Sequence, residues 1–200
     1  MSPDIDGVRV GHWTDPVGKT GCTVILFPPK TVASGEVRGG APATREFALL
    51  SPERTVENIH GLLLTGGSAF GLAAADGVVS CLEEDGIGFP TPAGPVPIVV
   101  AMSLYDLMEG DATVRPNSEH GRMAVREASS EIEVGQVGAG TGATVGKWRS
   151  REHRRSGGIG LGVAQKGELK VVAIAAVNAL GEPDDGTASK SVLDGTFMNW

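Results

Sequence analysis

Residues 61–77 read Gly61-Leu62-Leu63-Leu64-Thr65-Gly66-Gly67-Ser68-Ala69-Phe70-Gly71-Leu72-Ala73-Ala74-Ala75-Asp76-Gly77. Their first part is a short apolar strand, residues 61–64, broken by Gly66-Gly67. From residue 68 to about 84 the pattern turns helical: Phe70, Leu72, Ala73, Val78, Val79 and Leu82 can share a broad buried face, and Gly86 terminates it. A strand that turns directly into a helix is the unit of α/β and α+β folds, with helices laid against a buried sheet.

The same alternation extends outward in both directions. Residues 21–27 (GCTVILF) are β-rich and close at Pro28-Pro29. Ser51-Pro52-Glu53 carries a hydroxyl cap, a proline at the first helical position and then an acid, which predicts a helix to about residue 60. Residues 97–104 (PIVVAMSL) form a continuous apolar run, as expected of a strand covered on both faces. Residues 119–129 suit another helix. Residues 135–148 are small and glycine-laden, and residues 149–156 (RSREHRRS) form a basic loop. Residues 157–163 and 169–179 then flank Lys166-Gly167 as a hairpin. The reading gives one body over residues 1–183 and a flexible, polar tail over 184–200, which ends on Phe197-Met198-Asn199-Trp200.

Composition narrows the function. The 200 residues carry a net charge of −7, which argues against nucleic acid as a partner, because phosphates need a basic footprint. No apolar run reaches the roughly 18 residues of a bilayer span, and the start lacks a secretion signal, so the expectation is a cytoplasmic protein away from membranes. Cys22 and Cys81 read as reduced thiols. Glycine is the anomaly, at 30 of 200 residues. Such a chain needs many tight turns or close backbone approaches.

Several motifs come near known chemistry. Residues 138–147 resemble a dinucleotide fingerprint and the end of a P-loop, but Thr141 and Trp148 stand where a P-loop needs glycine and a hydroxyl residue, and a basic loop follows instead of a helix. Ser68 sits at a strand–turn–helix junction, yet Phe70 occupies the last glycine of G-x-S-x-G; Ser68 is either a helix cap or a nucleophile. His12, His60, His120 and His153 show no triad partner and no ligand spacing, so neither a metal nor another cofactor is expected. Arg38 to Glu46 reads as a turn with solvated charges. Asn178 interrupts an apolar strand near its end, where its amide either bonds a turn or faces a developing oxyanion. Tyr105 follows the buried strand at a point where a side chain can leave the core.

Taken together these blocks resemble the DmpA-like family of self-processing hydrolases: L-aminopeptidase/D-amidase-esterases, β-aminopeptidases and nylon-oligomer endohydrolases. The carriers are Val8-Arg9-Val10-Gly11-His12-Trp13, residues 38–46, residues 64–77 and Tyr105-Asp106-Leu107, then residues 138–147, Gly157-Gly158-Ile159-Gly160 and Ala176-Val177-Asn178-Ala179. The resemblance implies a four-layer αββα sandwich like that of N-terminal-nucleophile hydrolases. It further implies a precursor that cuts itself before a Ser or Thr, leaving these residues as the α chain and a β chain that carries the nucleophile. Such a nucleophile needs no histidine, because its own α-amine (pKa about 7.7–8.0) accepts the hydroxyl proton. By carry-over, Asn178 belongs to the oxyanion hole, Tyr105 is a hydrogen-bond donor at the site, and Lys147 is an electrostatic partner of nucleophile or substrate. Expected partners are the β chain, a tetramer of αβ heterodimers, and a small peptide or amide substrate. Glu46, Asp106 and Glu109 are candidates for an exposed acid that anchors a substrate amine.

Overall fold

The computed structural model describes residues 5–148 and 150–183; the expected tail, residues 184–200, lies outside them. In chain order the elements begin with β1 (Arg9–Asp15), β2 (Thr20–Leu26) and β3 (Thr44–Arg45), then β4 (Gly61–Thr65), α1 (Ser68–Gly71) and α2 (Ala74–Glu84). They continue with β5 (Phe89–Thr91), β6 (Gly94–Val96), β7 (Val99–Ser103), α3 (Ser118–Arg126), β8 (Thr144–Val145) and β9 (Arg155–Ser156), and end with β10 (Gly158–Lys166) and β11 (Leu169–Val177).

A five-stranded sheet of order β1-β2-β4-β7-β3 forms the centre. Only β4 and β7 run parallel, with Leu63 opposite Ala101, and α1 and α2 lie on the connection between them. The alternation along each strand divides its side chains between two cores. Cys22, Val24, Leu26, Leu63, Val99 and Ala101 face the helices and pack on Ala74, Ala75, Val78 and Leu82 of α2 and Ala124 and Val125 of α3. Val10, Ile25 and Leu62 face the other way, where Ile132 and the hairpin residues Leu161 and Ile174 cover them. Among the described residues this stacks three layers: helices, central sheet, and the β10–β11 hairpin.

The expected helix over residues 51–60 is absent. A short 3-10 turn, Phe47–Leu50, precedes it, and Ser51 is extended (ψ 131°). One turn closes from the Arg54 N–H to the Ser51 carbonyl, and the chain then extends so that Asn58 bridges Val32 and Ile59 fills a second core pocket with Leu50, Ile98 and Val100. The β-branched Thr55 and Val56 suit extension better than helix, and burial of Ile59 decides the matter.

The expected single helix from residue 68 is two segments, which corrects its buried face. Phe70 is 56% exposed and Ala73 is exposed, while Ala74, Ala75, Gly77, Val78, Cys81 and Leu82 are buried. Small residues are needed there because α2 and α3 almost touch: a Cβ on Gly77 would lie 1.8 Å from the Ser118 carbonyl oxygen. Large side chains at this seam would force the helices apart. Phe70 instead lies at the surface under the Arg115 guanidinium, 3.7 Å from the ring centre.

Candidate functional site

The central sheet and the hairpin meet where β7 and β11 end. Beyond Val177, Asn178 leaves the hairpin; beyond Ser103, Leu104 and Tyr105 leave the central sheet. The Asn178 side chain ties the two ends together. Its Oδ1 accepts the Thr144 N–H at 3.0 Å and the Lys147 ammonium at 2.8 Å, and its Nδ2 donates to the Tyr105 carbonyl at 2.9 Å. Three polar contacts fix which way the amide points, since Oδ1 meets two donors and Nδ2 an acceptor. One Nδ2 hydrogen is left over from this network. The Lys147 ammonium also donates to the Asn178 carbonyl at 3.3 Å.

Lys147 is held by backbone pairing on either side, from Gly146 N–H to Gly181 O and from Trp148 N–H to Leu180 O. Gly146 has a φ of 73°, the left-handed conformation glycine adopts at little cost. Burial pushes the Lys147 ammonium below its ordinary pKa, and the Glu109 carboxylate opposes that shift. Tyr105 joins the cluster through its main chain, while its side chain is 54% exposed. The structure thus gathers the three residues singled out in the sequence, Asn178 and Lys147 by side chain and Tyr105 by carbonyl.

The acids behave differently from expectation. Asp106 is buried, at 2% exposure, and is no surface anchor for an amine. The Glu109 side chain is largely enclosed and occupied by arginines, at 2.9 Å from Arg154 and 3.7 Å from Arg151. Glu46 is exposed, but it lies before the Phe47–Leu50 turn. Ser68 also departs from the cap reading. Gly67 is the N-cap, no side-chain cap bond forms, and Ser68 itself has a φ of 56° while its N–H donates to the Leu104 carbonyl.

All four histidines are engaged elsewhere. His12 Nδ1 meets Thr23 Oγ1 at 2.9 Å, and His60 Nδ1 accepts the Ile98 N–H at 3.0 Å. His120 stacks on Trp13 at 3.5 Å and completes a capping box with Asn117; His153 pairs with Ser150. The glycine-rich stretch from Gly138 is packed against β1 and β2, with its N–H groups bonded to Thr14 and Thr23, so they do not present a phosphate cradle. Cys22 and Cys81 are free and buried, and burial pushes the Cys22 thiol up to about 12. No helix among the described residues is long and apolar enough to cross a membrane.

A central sheet under helices on one side and a second sheet on the other makes three layers of the αββα sandwich that the resemblance implies. The chain matches the L-aminopeptidase D-Ala-esterase/amidase of Ochrobactrum anthropi, described as a new variant among the Ntn hydrolase fold, with a TM-score of 0.65 at 19% identity over 88% of this chain and 52% of that one. The chain belongs to peptidase family S58, whose model matches residues 3–193. It is 41% identical over 207 residues to the uncharacterized aminopeptidase Rv1333 of Mycobacterium tuberculosis, covering 97% of this chain and 58% of that protein. To the 6-aminohexanoate-oligomer endohydrolase of a Kocuria species it is 29% identical, over 89% of this chain and 48% of that protein. The chain therefore spans only about half the length of the curated relatives it matches.

Sequence reading missed what holds the cluster in place: Thr144, the Glu109–Arg154 pair, and above all Asp106 with Thr20. Thr20 and Asp106 lie 86 residues apart, and no local pattern signals their contact.

Proposed function

We propose that this chain is the α part of a self-cleaving amide-bond hydrolase, and that a β part of the same precursor supplies an N-terminal Ser or Thr as nucleophile. The carrying observation is the Lys147–Asn178–Tyr105 network, which presents a rigid amide where both sheets end. Family membership and the partial span of the relatives support the reading, as do four histidines all engaged away from that network.

In this mechanism the β-chain hydroxyl attacks the substrate carbonyl and its proton passes to the new α-amine. The tetrahedral oxyanion accepts the free Nδ2–H of Asn178. Lys147, bonded to Oδ1, polarises the amide and makes that N–H a stronger donor. Collapse expels the amine, which takes the proton back, and leaves an acyl-enzyme that water then hydrolyses by the same path. The Tyr105 phenol at the rim donates to substrate. Amino-acid amides, β-peptides and aminohexanoate oligomers are the substrate classes, the working unit is a tetramer of αβ heterodimers, and the buried free thiols suit a cytoplasmic setting. The test is to screen the processed full-length product against those three classes. Turnover of at least one is expected, and inertness toward all of them refutes the reading.

A second reading, catalysis by Ser68 itself, draws on its left-handed backbone at a strand–turn–helix junction. Among the described residues no side chain hydrogen-bonds the Ser68 hydroxyl, which leaves it without the base that such a nucleophile requires.

A further inference from the structure

Behind the Lys147–Asn178–Tyr105 network lies a carboxylate that the proposed chemistry does not use. Asp106 follows Tyr105 directly and points inward. Its Oδ1 accepts the Gly67 N–H at 2.7 Å, and its Oδ2 accepts the Thr20 hydroxyl at 2.8 Å. The chain leaves room for it by omitting side chains. A Cβ on Gly66 would lie 2.0 Å from Oδ2, and a Cβ on Gly142 would lie 2.8 Å from the Asp106 Cβ. Three segments therefore close on one carboxylate: the start of β2 at Thr20, the Gly66-Gly67 turn after β4, and the glycine-rich stretch at residue 142. Main-chain bonds continue the lock, from Ser68 N–H to Leu104 O and from Leu104 N–H to Thr65 O. The next carbonyl in that locked stretch, Tyr105 O, receives the Asn178 amide.

We propose that Asp106 is a positioning residue for this site: its buried carboxylate fixes the Tyr105 main chain against the Gly66-Gly67 turn and so aims the Asn178 amide. The proposal rests on the amide-hydrolase reading above. Asp106 touches no reacting group; it acts through the Tyr105 carbonyl. Errors of about 1 Å in such an arrangement cost on the order of 10²-fold in rate.

Burial pushes the Asp106 carboxyl above its ordinary pKa, against the hydrogen bonds from Gly67 and Thr20, and the nearby Glu109 charge adds to the rise. A carboxyl whose folded pKa is raised loses stability for the fold as pH climbs from its unfolded value through its folded one, so at neutral pH the ionised form is a cost. A neutral replacement of the same shape escapes that cost. Asp106→Asn therefore separates structure from catalysis: it lifts the cost of the buried charge, but the Gly67 N–H and the Thr20 hydroxyl lose the anionic acceptor that makes their bonds strong, so the lock on the Tyr105 main chain loosens without the fold weakening.

The experiment uses the processed full-length protein, with Asp106→Asn and Thr20→Val beside the parent. It reads kcat, KM, thermal midpoint, and hydrogen exchange at residues 66–68 and 104–106. Asp106→Asn should lose roughly 10- to 100-fold in kcat with KM within about threefold and a midpoint within about 3 °C of the parent or above it. Exchange in both segments should quicken, and Thr20→Val should show the same pattern more weakly. If kcat stays within about twofold, or if kcat and midpoint collapse together, the positioning role is overturned. Should the parent hydrolyse no amide, the functional reading fails, and exchange alone decides for Asp106: unchanged protection at both segments overturns its role, and faster exchange supports it.

Discussion

Leu63 and Val171 are both apolar strand residues, yet Leu63 is fully buried in the central sheet while Val171 stands 55% exposed on the hairpin. The difference runs along the whole of each element. On β11, Val172, Ile174 and Ala176 turn toward the central sheet and are half-buried, whereas Leu169, Val171, Ala173 and Ala175 face outward and are exposed. The residues paired with the outward set on β10 are Lys166, Ala164, Gly162 and Gly160, which add little cover of their own. The central sheet has helices on one face and the hairpin on much of the other. Among the described residues the hairpin has one face covered and one bare, and two strands alone make a marginal sheet. A bare apolar face on a strand pair marks a surface that takes a partner. In the proposed enzyme that cover is the β part, which would also carry the nucleophile to the edge where Asn178 waits.

The largest effect is expected at the junction of the two sheets. Asn178→Ala in a pre-cut, co-expressed enzyme should lose about 10²–10³-fold in kcat, roughly 3–4 kcal/mol, with a smaller change in KM, because one preorganised donor acts only on the transition-state charge. Steady-state kinetics checks this; a normal kcat with weakened affinity would make Asn178 a strand-end residue only. Next come the two sheets themselves. Leu63→Ala should cost about 2–5 kcal/mol by denaturant unfolding whether or not the β part is present. Val171→Ala should cost under about 0.5 kcal/mol in this chain alone and clearly more in the assembled enzyme, where the same side chain is covered. Equal costs for Val171→Ala in both states would remove the argument that the bare face is an interface.

A subtler test lies in the charge around Lys147. Its pKa is lowered by burial and supported by Glu109, so Glu109→Gln should lower it further. For a lysine whose folded pKa lies below its unfolded one, the charged form is the costly one, and that cost is relieved as pH rises from the folded value toward the unfolded one. The variant should therefore shift the alkaline limb of kcat/KM to lower pH, as read from pH–rate profiles. The smallest expected effect is at Ser68. Ser68→Ala should keep kcat within about twofold, since in the proposed enzyme Asn178 and an N-terminal nucleophile do the chemistry; a loss beyond 10²-fold would revive the serine reading.

Much of this organisation is legible in the amino-acid sequence. The apolar runs that became β2, β4, β7 and β11 need no tertiary information, because burial on both faces or strict alternation shows in the residues themselves. The helix expected from Ser51-Pro52-Glu53 failed for the opposite reason: a good local start signal was outweighed by Ile59, whose burial depends on residues as distant as Val100. Phe70 was misplaced because α1 ends at Gly71 and does not share one face with α2, whose seam with α3 selects small residues; only the packing reveals that break. At the candidate site, Asn178, Lys147 and Tyr105 could be named from ordered motifs. Asp106 could not be placed, because an aspartate next to a strand end looks solvated until Thr20 and Gly67 are seen closing on it.

In the proposed enzyme these residues and a nucleophile-bearing partner come from one precursor that cuts itself. Intact-mass measurement of the purified full-length gene product tests it most directly, with the amino terminus of each species sequenced. Two co-purifying fragments are expected, the larger containing residues 5–183 and the smaller beginning with Ser or Thr. A single uncut chain that hydrolyses amides at full rate would contradict it.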